Sequence, residues 1–337
     1  MVILFGTHPR YAEHDTGSLH PESAERLLAV RRGIDTSGVE DAIEYFVPEP
    51  ATQEELTRVH EPSYIEALRR FCLMGGGMLD PDTSASVGSW DAAILAAGAG
   101  IGAAAKIRAG EAEAAFLAVR PPGHHAVSDR AMGFCLINNV AVLAADLVSR
   151  GERVLVYDFD AHHGNGTQEI FFYSSSVLYV SAHQYPLYPG TGRAREVGSG
   201  AGKGYTLNLP FHADTTGPTY LEALERMAAR VIEDFSPTWT LISAGFDAHR
   251  LDPLTEMGLT SADFCDLTLW IKQLVPKAKV VAFLEGGYNL SALEQSTAAT
   301  LSALAGRSLK PEPNSDGSAD FEMIKALEES RKRALAE

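Results

Sequence analysis

Cysteine, long apolar segments and clustered positive charge are all scarce in this chain of 337 residues. Its three cysteines, Cys72, Cys135 and Cys265, lie far apart, which excludes a disulfide framework and a CxxC metal site and predicts a reducing, cytoplasmic location. The uncharged run from Ala92 to Ala105 is mostly alanine and glycine, and is too short to predict a membrane span. The N-terminus lacks the charged start, apolar stretch and cleavage site of a signal peptide.

The charge balance is acidic. Aspartate and glutamate number 44 against 28 lysines and arginines, for a net charge of −16, and no stretch is rich in lysine or arginine. Nucleic-acid surfaces need clustered positive charge, so the composition predicts no nucleic-acid partner. An acidic surface suits a cationic substrate, although most acidic enzymes owe their charge to solubility. Apolar residues make up 45% of the chain, which is enough for a large core.

Short apolar runs alternate with helical patterns along the chain. We predict strands at 2–6, 43–47, 116–120, 154–160, 177–183, 206–210, 239–245 and 280–286. Several, such as Val154 to Val156, are apolar along their length, as strands buried on both faces of a parallel sheet are. Helical spacing is found at 52–72, 91–109, 138–150, 218–235 and 261–276. This alternation predicts a single α/β domain with a mainly parallel sheet flanked by helices.

The last thirty residues have a different pattern. Residues 308–319 are rich in proline, serine and acidic residues, which is typical of a linker. Residues 320–337 have a helical pattern, in which glutamates are followed four residues later by lysine or arginine. The sequence therefore predicts a main domain over 1–307, a linker over 308–319 and a peripheral helix over 320–337.

Unusual polar residues follow five of the predicted strands. They are Arg120 to His125, Asp158 to Asn165, Ser181 to His183, Gly245 to His249, and Glu285 to Tyr288. The carboxyl ends of parallel strands meet at one edge of a sheet, where ligands bind. The five ends are therefore expected to build one site, and this convergence is stronger evidence than any single run.

The run Asp158-x-Asp160-x-His162 has the residue types of a metal site. Alternate residues of an extended chain point the same way, so Asp160 and His162 can project together. A carboxylate and an imidazole suit Zn²⁺ or a similar divalent ion, and Asp247, after another strand, can supply a third ligand. Three protein ligands leave a position for water. Taken alone, the same run could instead form a salt bridge or cap a helix.

Histidines and a tyrosine accompany this candidate metal site. His124 and His125 follow Pro-Pro-Gly, a rigid turn that suits acid–base catalysis, although a hydrogen-bonded structural role is the usual fate of a histidine. Tyr288 follows two glycines and could donate a hydrogen bond to an oxyanion, or simply pack on the core. We expect His163 to be structural and His183 and His249 to lie near the site. The remaining histidines have no metal-ligand spacing and are expected to be ordinary: His8, His14, His20, His60 and His212.

Together these residues resemble the histone deacetylase superfamily, whose fold is the zinc-dependent, arginase-like α/β fold with an eight-stranded sheet. The resemblance covers roughly residues 5–305. The matching segments are His20 to Leu27, Arg120 to Ala126, Gly133 to Asn139, Asp158 to Gln168, Pro189 to Gly192, Ser243 to Leu254 and Glu285 to Leu290. The Pro-Pro-Gly-His-His form and Asn165 are similar to the class II and bacterial branch.

The resemblance implies a role for each matching residue of the centre. Asp160, His162 and Asp247 would hold zinc, with ferrous iron as the alternative in the cell. His125 would act as general base and then acid, with His124 beside it. The remaining roles are implied as follows: Asp158 would hold His124, Asn165 would hold His125, and Tyr288 would bind the substrate carbonyl oxygen.

The resemblance also implies the surroundings of that centre. Gly133, Phe134 and Tyr188 would line a tunnel for the acyl-lysine stem, with Leu254 at its gate. Asp82 is the candidate for a rim carboxylate that orients the substrate backbone, and Asp80 is the alternative. Arg26 would lie near an inner cavity. A structural potassium ion is implied at Asp158, Asp160, His162, Ser181 and the Ala182 carbonyl.

These implications make hydrolysis of N-acetyl amides the expected activity, with acetyl-lysine in proteins or peptides as the first substrate. An acetylpolyamine or another small acyl amide is the alternative, which Leu254 weakens because polyamine-selective relatives have glutamate there. A binuclear ureohydrolase of the arginase type would need further bridging carboxylates near Asp160 and His162. His163 and Gly164 follow His162 instead, so a second metal ion would lack ligands. A relative that only binds acyl ligands usually lacks a metal-binding residue or the tyrosine. This chain retains Asp160, His162, Asp247 and Tyr288. The sequence predicts no membrane partner and leaves the oligomeric state open.

Overall fold

The protein, described here over residues 1–337 by a computed structural model, is built on one eight-stranded sheet. All pairings within that sheet are parallel, and the strand order is β2-β1-β5-β10-β9-β6-β7-β8. Its strands are β1 (Ile3–Gly6), β2 (Ile43–Phe46), β5 (Ala114–Leu117), β6 (Val154–Asp158), β7 (Val177–Gln184), β8 (Thr206–Phe211), β9 (Trp239–Ala244) and β10 (Lys279–Leu284). A separate antiparallel hairpin consists of β3 (Gly77–Asp80) and β4 (Thr83–Ala85). The predicted α/β fold with a parallel sheet is thus confirmed.

Helices cover both faces of the sheet. They are α1 (Glu25–Asp35), α2 (Gln53–Thr57), α3 (Pro62–Leu73), α4 (Ser89–Arg108), α5 (Asn139–Ser149), α6 (Asn165–Phe171), α7 (Gly217–Leu224), α8 (Arg230–Phe235), α9 (Ser261–Leu274), α10 (Leu290–Leu304) and α11 (Phe321–Ala336). A short π-helical turn joins α7 to α8. Two large hydrophobic clusters, of 43 and 40 buried residues, hold the helices against the two faces. Central strands such as β6 are buried on both sides, which explains their continuous apolar sequence.

Helix α4 is long and apolar enough to cross a membrane by length and composition alone. However, 61% of its apolar window is buried inside the protein. Its small residues allow close packing: a Cβ added at Gly98 would collide with the Glu49 carbonyl, and one at Gly100 with the Phe283 ring. Length and composition alone do not distinguish a membrane span from a buried core helix, so they are weak evidence that α4 crosses a membrane.

Some predicted boundaries were wrong for identifiable reasons. The helix predicted over 52–72 is two helices, because Pro62 begins α3 and Glu61 before it is extended. The strand predicted at 116–120 is found at Ala114–Leu117, since alanines obscured its start. The β3–β4 hairpin and helices α1, α6 and α10 were not among the predicted elements.

The five strands whose ends carry polar residues are neighbours in the sheet. They are β5, β10, β9, β6 and β7, in that spatial order. Because all five are parallel, their carboxyl ends lie along one edge, and the segments that follow them can meet there. The sheet order therefore gathers residues that are up to 168 positions apart, from Arg120 to Tyr288.

Residues 308–319, which we call the strap, have no helix or strand, and they are bound to the main domain. Lys310 Nζ lies 2.8 Å from an Asp266 carboxylate oxygen, Asn314 Nδ2 donates to Asp263 at 2.9 Å, and Ser315 Oγ accepts from the Gly217 N–H at 2.8 Å. The following helix, α11, buries Ile324 completely in the core. The strap therefore has a defined path across α7 and α9.

Candidate active site

Asp160, His162 and Asp247 form a compact cluster at the carboxyl edge of the sheet. Their ligand atoms all lie within 4.8 Å of one another. His162 Nδ1 is 2.7 Å from an Asp247 oxygen and 3.3 Å from an Asp160 oxygen. Backbone N–H groups orient the carboxylates, because Ala161 donates to Asp247 at 2.8 Å and Gly286 donates to Asp160 at 2.7 Å.

This cluster fits a divalent metal ion. Two carboxylate oxygens and one imidazole nitrogen are ligands that zinc and ferrous iron accept. Burial, with the nearby charge of Asp160, raises the pKa of Asp247 to about 7. Two buried carboxylates facing one imidazole are a crowding of like charge that a cation relieves. Glycine keeps the space clear, since a Cβ at Gly245 or Gly286 would collide with the Asp160 carboxylate.

His124 and His125 lie beside the metal cluster with their ring centroids 4.1 Å apart. His124 Nδ1 is 3.1 Å from Asp158 Oδ2, and His125 Nδ1 is 2.8 Å from Asn165 Oδ1. Both contacts are those implied by the resemblance. Because an amide oxygen only accepts, His125 Nδ1 carries the proton and its Nε2 is left as a base.

The surroundings give the two histidines different protonation. Burial lowers the pKa of His124, but the carboxylates of Asp158 and Asp160 outweigh it and raise this pKa to about 10. Burial and the adjacent His124 cation lower the pKa of His125 well below its ordinary range. His125 is therefore neutral and able to accept a proton, whereas His124 is a cation.

Tyr288 lines the same cavity as the histidine pair. Burial raises the pKa of its phenol well above the ordinary value, so the hydroxyl keeps its proton as a donor. The Arg26 guanidinium lies 5.0 Å from the centroid of the Tyr288 ring, and its Nε donates to the Gly287 carbonyl at 2.7 Å. The Tyr288 N–H donates to Asp252 Oδ2 at 2.7 Å. The tyrosine is thus held through both its ring and its backbone.

A cavity of about 220 Å³ joins these groups to the surface. Its lining includes residues predicted for the centre and for the tunnel: His124, His125, Asp160, His162, Tyr288, Gly133, Phe134, Tyr188, Leu254 and Asp82. Asp82, and not Asp80, is in this lining. Arg26 is completely buried behind Tyr288 and is not part of the lining. Four further lining residues were not singled out individually: Pro122, Cys135 and Gly286 lie in segments that the sequence analysis names, and Leu187 lies outside them.

Gly133 and His20 shape one wall of the cavity. Gly133 has φ of +56°, and a Cβ at this position would collide with the His125 ring, so glycine is required on both grounds. The His20 ring packs 4.6 Å from the ring centroid of Phe134, and its Nε2 lies 3.2 Å from the Asp82 carbonyl oxygen. His20 was expected to be ordinary, but the structure places it against two residues of the tunnel wall.

The other histidines near the centre are satisfied within the protein. His163 turns away from the cavity, as expected, with its ring nitrogens 2.7 Å from Thr191 Oγ1 and 3.0 Å from Gln168 Oε1. His183 is buried between Ser181 Oγ at 2.8 Å and the Gly192 carbonyl at 2.9 Å. His249 follows Asp247 on the same loop and is 1% exposed. Neither His183 nor His249 lines the cavity.

The residues implied for potassium lie at the ends of β6 and β7. Asp158 pairs with Ser181 in the parallel register of these strands. The Ala182 carbonyl accepts from the Tyr220 hydroxyl, and the Tyr179 hydroxyl donates to Asp158 at 3.1 Å. The residues lie close together in the fold, and Asp158 and the Ala182 carbonyl each accept a hydrogen bond within the protein.

Two buried carboxylates were missed by the reasoning from sequence. Glu285 Oε2 accepts from the N–H groups of Gly123 at 2.7 Å and His124 at 3.2 Å, and so holds the histidine loop. Asp252 holds Tyr288. Glu285 stands in a run that was already singled out, so its position at a strand end was an available signal. Asp252 lies in the matching segment Ser243 to Leu254, but the sequence does not indicate its contact with Tyr288, 36 residues away.

Comparison with known proteins agrees with this geometry. Residues 20–304 match the family described as the histone deacetylase domain. A protein of Archaeoglobus fulgidus described as a probable deacetylase is 38% identical over 313 residues, which cover 91% of this chain and 87% of that protein. The histone deacetylase-like amidohydrolase of Pseudomonas aeruginosa is 37% identical over 276 residues, which cover 80% of this chain and 73% of that protein.

The fold is similar to a solved structure over its whole length. The crystal structure of the HDA15 HD domain superposes with a TM-score of 0.91 at 35% sequence identity. The alignment covers 100% of this chain and 98% of that one.

Proposed function

This chain belongs to the histone deacetylase domain family and is a metal-dependent amide hydrolase, and we propose that its substrates are N-acetylated lysine side chains of proteins or peptides. The observation that carries the proposal is the meeting of the metal cluster, the His124–His125 pair and Tyr288 around one narrow cavity. A carbonyl at the end of an acyl-lysine side chain can reach all three groups there. The cavity walls above them include the aromatic rings of Phe134 and Tyr188, which suit an alkyl stem.

We propose Asp160, His162 and Asp247 as the metal ligands and zinc or ferrous iron as the metal. When bound, such an ion would polarise the amide carbonyl and lower the pKa of a water molecule towards about 7. His125 Nε2 would accept the proton of the attacking water. Tyr288 would donate a hydrogen bond from its phenol to the developing oxyanion. The imidazolium of His125, formed when it takes the water proton, would then give a proton to the leaving amine. The products are acetate and a free amine.

The Tyr288→Phe variant is expected to lose about 10²–10³-fold in kcat, because it lacks one preorganised donor to the oxyanion. Metal content and the affinity for a hydroxamate inhibitor should change little, since the three metal ligands remain. Steady-state kinetics with an acetyl-lysine peptide, alongside metal analysis, measures both. Unchanged turnover would show that the tyrosine has no part in the reaction.

Asp82 is proposed as the rim carboxylate that accepts a hydrogen bond from the substrate backbone. Asp82→Ala should raise KM for an acetyl-lysine peptide about fivefold, the effect of losing about 1 kcal/mol, with kcat nearly constant. Asp80→Ala is the matched control, since Asp80 lies on the same hairpin outside the cavity lining. Equal KM values for the two variants would remove Asp82 from this role.

A substrate panel at equal enzyme concentration tests the proposed substrate class. It contains acetyl-lysine peptides, acetylated polyamines and peptides with longer acyl groups, with metal content measured on the same sample. We expect the highest kcat/KM for acetyl-lysine peptides. Preference for acetylated polyamines would overturn this assignment within the same chemistry, whereas hydroxamate binding without any turnover would identify a binding protein.

A further inference from the structure

The strap contacts the loop that carries Asp247, although the matched family region ends at residue 304. Glu312 is the contact residue, and its side chain is 14% exposed. Glu312 Oε1 lies 2.7 Å from His249 Nε2 and accepts from the Ser261 N–H at 3.0 Å. Its other oxygen is paired with Arg250. A glutamate outside the matched region is therefore built into the back of the active-site loop.

The tautomer of His249 follows from its two contacts. The Leu251 N–H donates to His249 Nδ1 at 3.2 Å, so Nδ1 is the acceptor. The proton of the neutral ring is then on Nε2, which donates it to Glu312. With both nitrogens occupied and the ring 1% exposed, His249 is fixed in one orientation. Glu312 determines that orientation from outside the loop.

A chain of hydrogen bonds continues from His249 to the tyrosine. The Asp252 N–H donates to the His249 carbonyl at 2.8 Å. The Asp252 carboxylate then accepts from the Tyr288 N–H at 2.7 Å through one oxygen and from the Leu254 N–H at 3.0 Å through the other. Asp252 is 7% exposed, so these contacts are shielded from water. The Asp252 carboxylate thus holds the backbone of both Leu254, at the gate, and Tyr288.

We propose that Glu312 is a positioning residue for Tyr288, acting through His249 and Asp252. The inference deepens the proposed function and rests on it, because Tyr288 matters only if the enzyme stabilises an oxyanion. Without the Glu312 carboxylate, the His249 ring is free to rotate. The loop from Asp247 to Leu254 then becomes more mobile, and with it the Asp252 carboxylate. Tyr288 then spends less time where its hydroxyl meets the transition state. The effect is on kcat rather than on KM.

The test combines kinetics with a double-mutant cycle on the full chain. Glu312→Ala should lower kcat about three- to thirtyfold at nearly constant KM, the range expected for coupling through a packed polar network. In the Tyr288→Phe background the same change should alter kcat by less than about twofold, because the group that Glu312 positions is absent. Equal losses in both backgrounds would overturn the proposal and leave Glu312 a merely structural role.

Two further variants keep the test decisive if Glu312→Ala folds poorly. Glu312→Gln retains an oxygen that can accept from His249 Nε2, so kcat should stay within about twofold of the unchanged protein. Glu328→Ala removes an ion pair of 2.8 Å between α11 and Arg226, away from the strap, and should leave kcat unchanged. A large loss in Glu328→Ala would show that any loosening of the C-terminus matters, and would contradict a specific role for Glu312.

Hydrogen exchange measured by mass spectrometry gives a readout independent of turnover. In Glu312→Ala, peptides covering 285–290 should exchange about tenfold faster, because the Tyr288 and Asn289 N–H groups depend on Asp252. Glu328→Ala should leave that exchange unchanged. If the unchanged protein hydrolyses no acyl amide, the proposed function fails. The exchange result still decides whether Glu312 holds the Tyr288 backbone through His249 and Asp252. Unaltered exchange in Glu312→Ala would refute it.

Discussion

Replacing His125 with alanine is expected to lower kcat on an acetyl-lysine peptide by about 10²–10⁴-fold, the usual contribution of a positioned general base. The reason lies in its hydrogen bond to Asn165, which places the proton on Nδ1 and leaves Nε2 free to accept. Burial and the neighbouring His124 cation keep the pKa of the ring low and the base neutral. Single-turnover kinetics at saturating peptide measures the loss.

The matched control for this variant is His163→Ala. His163 is equally buried and directly follows His162, but its ring contacts Thr191 and Gln168 rather than the cavity. It should lower thermal stability and leave kcat per metal-loaded molecule within a few-fold of the unchanged protein. Metal content should be retained in His125→Ala. Comparable losses of kcat in the two variants would contradict the assignment of His125 as base.

Asp247→Ala is expected to abolish activity by removing the metal. Replacing a residue that only hydrogen-bonds to a metal ligand typically lowers metal affinity about 10–100-fold, so loss of a direct ligand should lower it more than about 100-fold. The variant also leaves the Ala161 N–H without its acceptor, which loosens the turn between Asp160 and His162. Metal content after dialysis against a weak chelator measures the loss.

Asp252→Ala separates the loss of metal from damage to the loop. Asp252 is on the same loop but accepts only from backbone N–H groups of Leu254, Tyr288 and Asn289. It should retain metal while losing turnover, whereas Asp247→Ala should lose both. Full metal occupancy in Asp247→Ala would show that the ligand set was assigned wrongly.

The core of the site could be predicted because its chemistry is local in sequence. Asp160 and His162 are separated by one residue after a strand, and alternation alone places them together. The addition of Asp247 required only the assumption of a parallel sheet, which the continuous apolar strands supported. The strands were recognised for the same reason, since burial on both faces gives long runs of valine, leucine and isoleucine.

What could not be predicted depends on contacts between distant segments. Asp252 meets Tyr288 across 36 residues, and Glu312 meets His249 across 63. Nothing in the composition of 308–319 distinguishes a bound strap from a free linker, because irregular backbone uses the same residues in both cases. The break at Pro62 is different, since a proline inside a helical pattern was a signal that the sequence already contained.

The central claim is that one divalent ion is held by Asp160, His162 and Asp247 at the base of the cavity. Anomalous scattering at the metal's absorption edge, from a crystal of the purified protein, tests it most directly. We expect a single peak at about 2.0–2.2 Å from two carboxylate oxygens and one imidazole nitrogen. A peak elsewhere, two peaks at this site, or a metal-free crystal of fully active protein would contradict the claim.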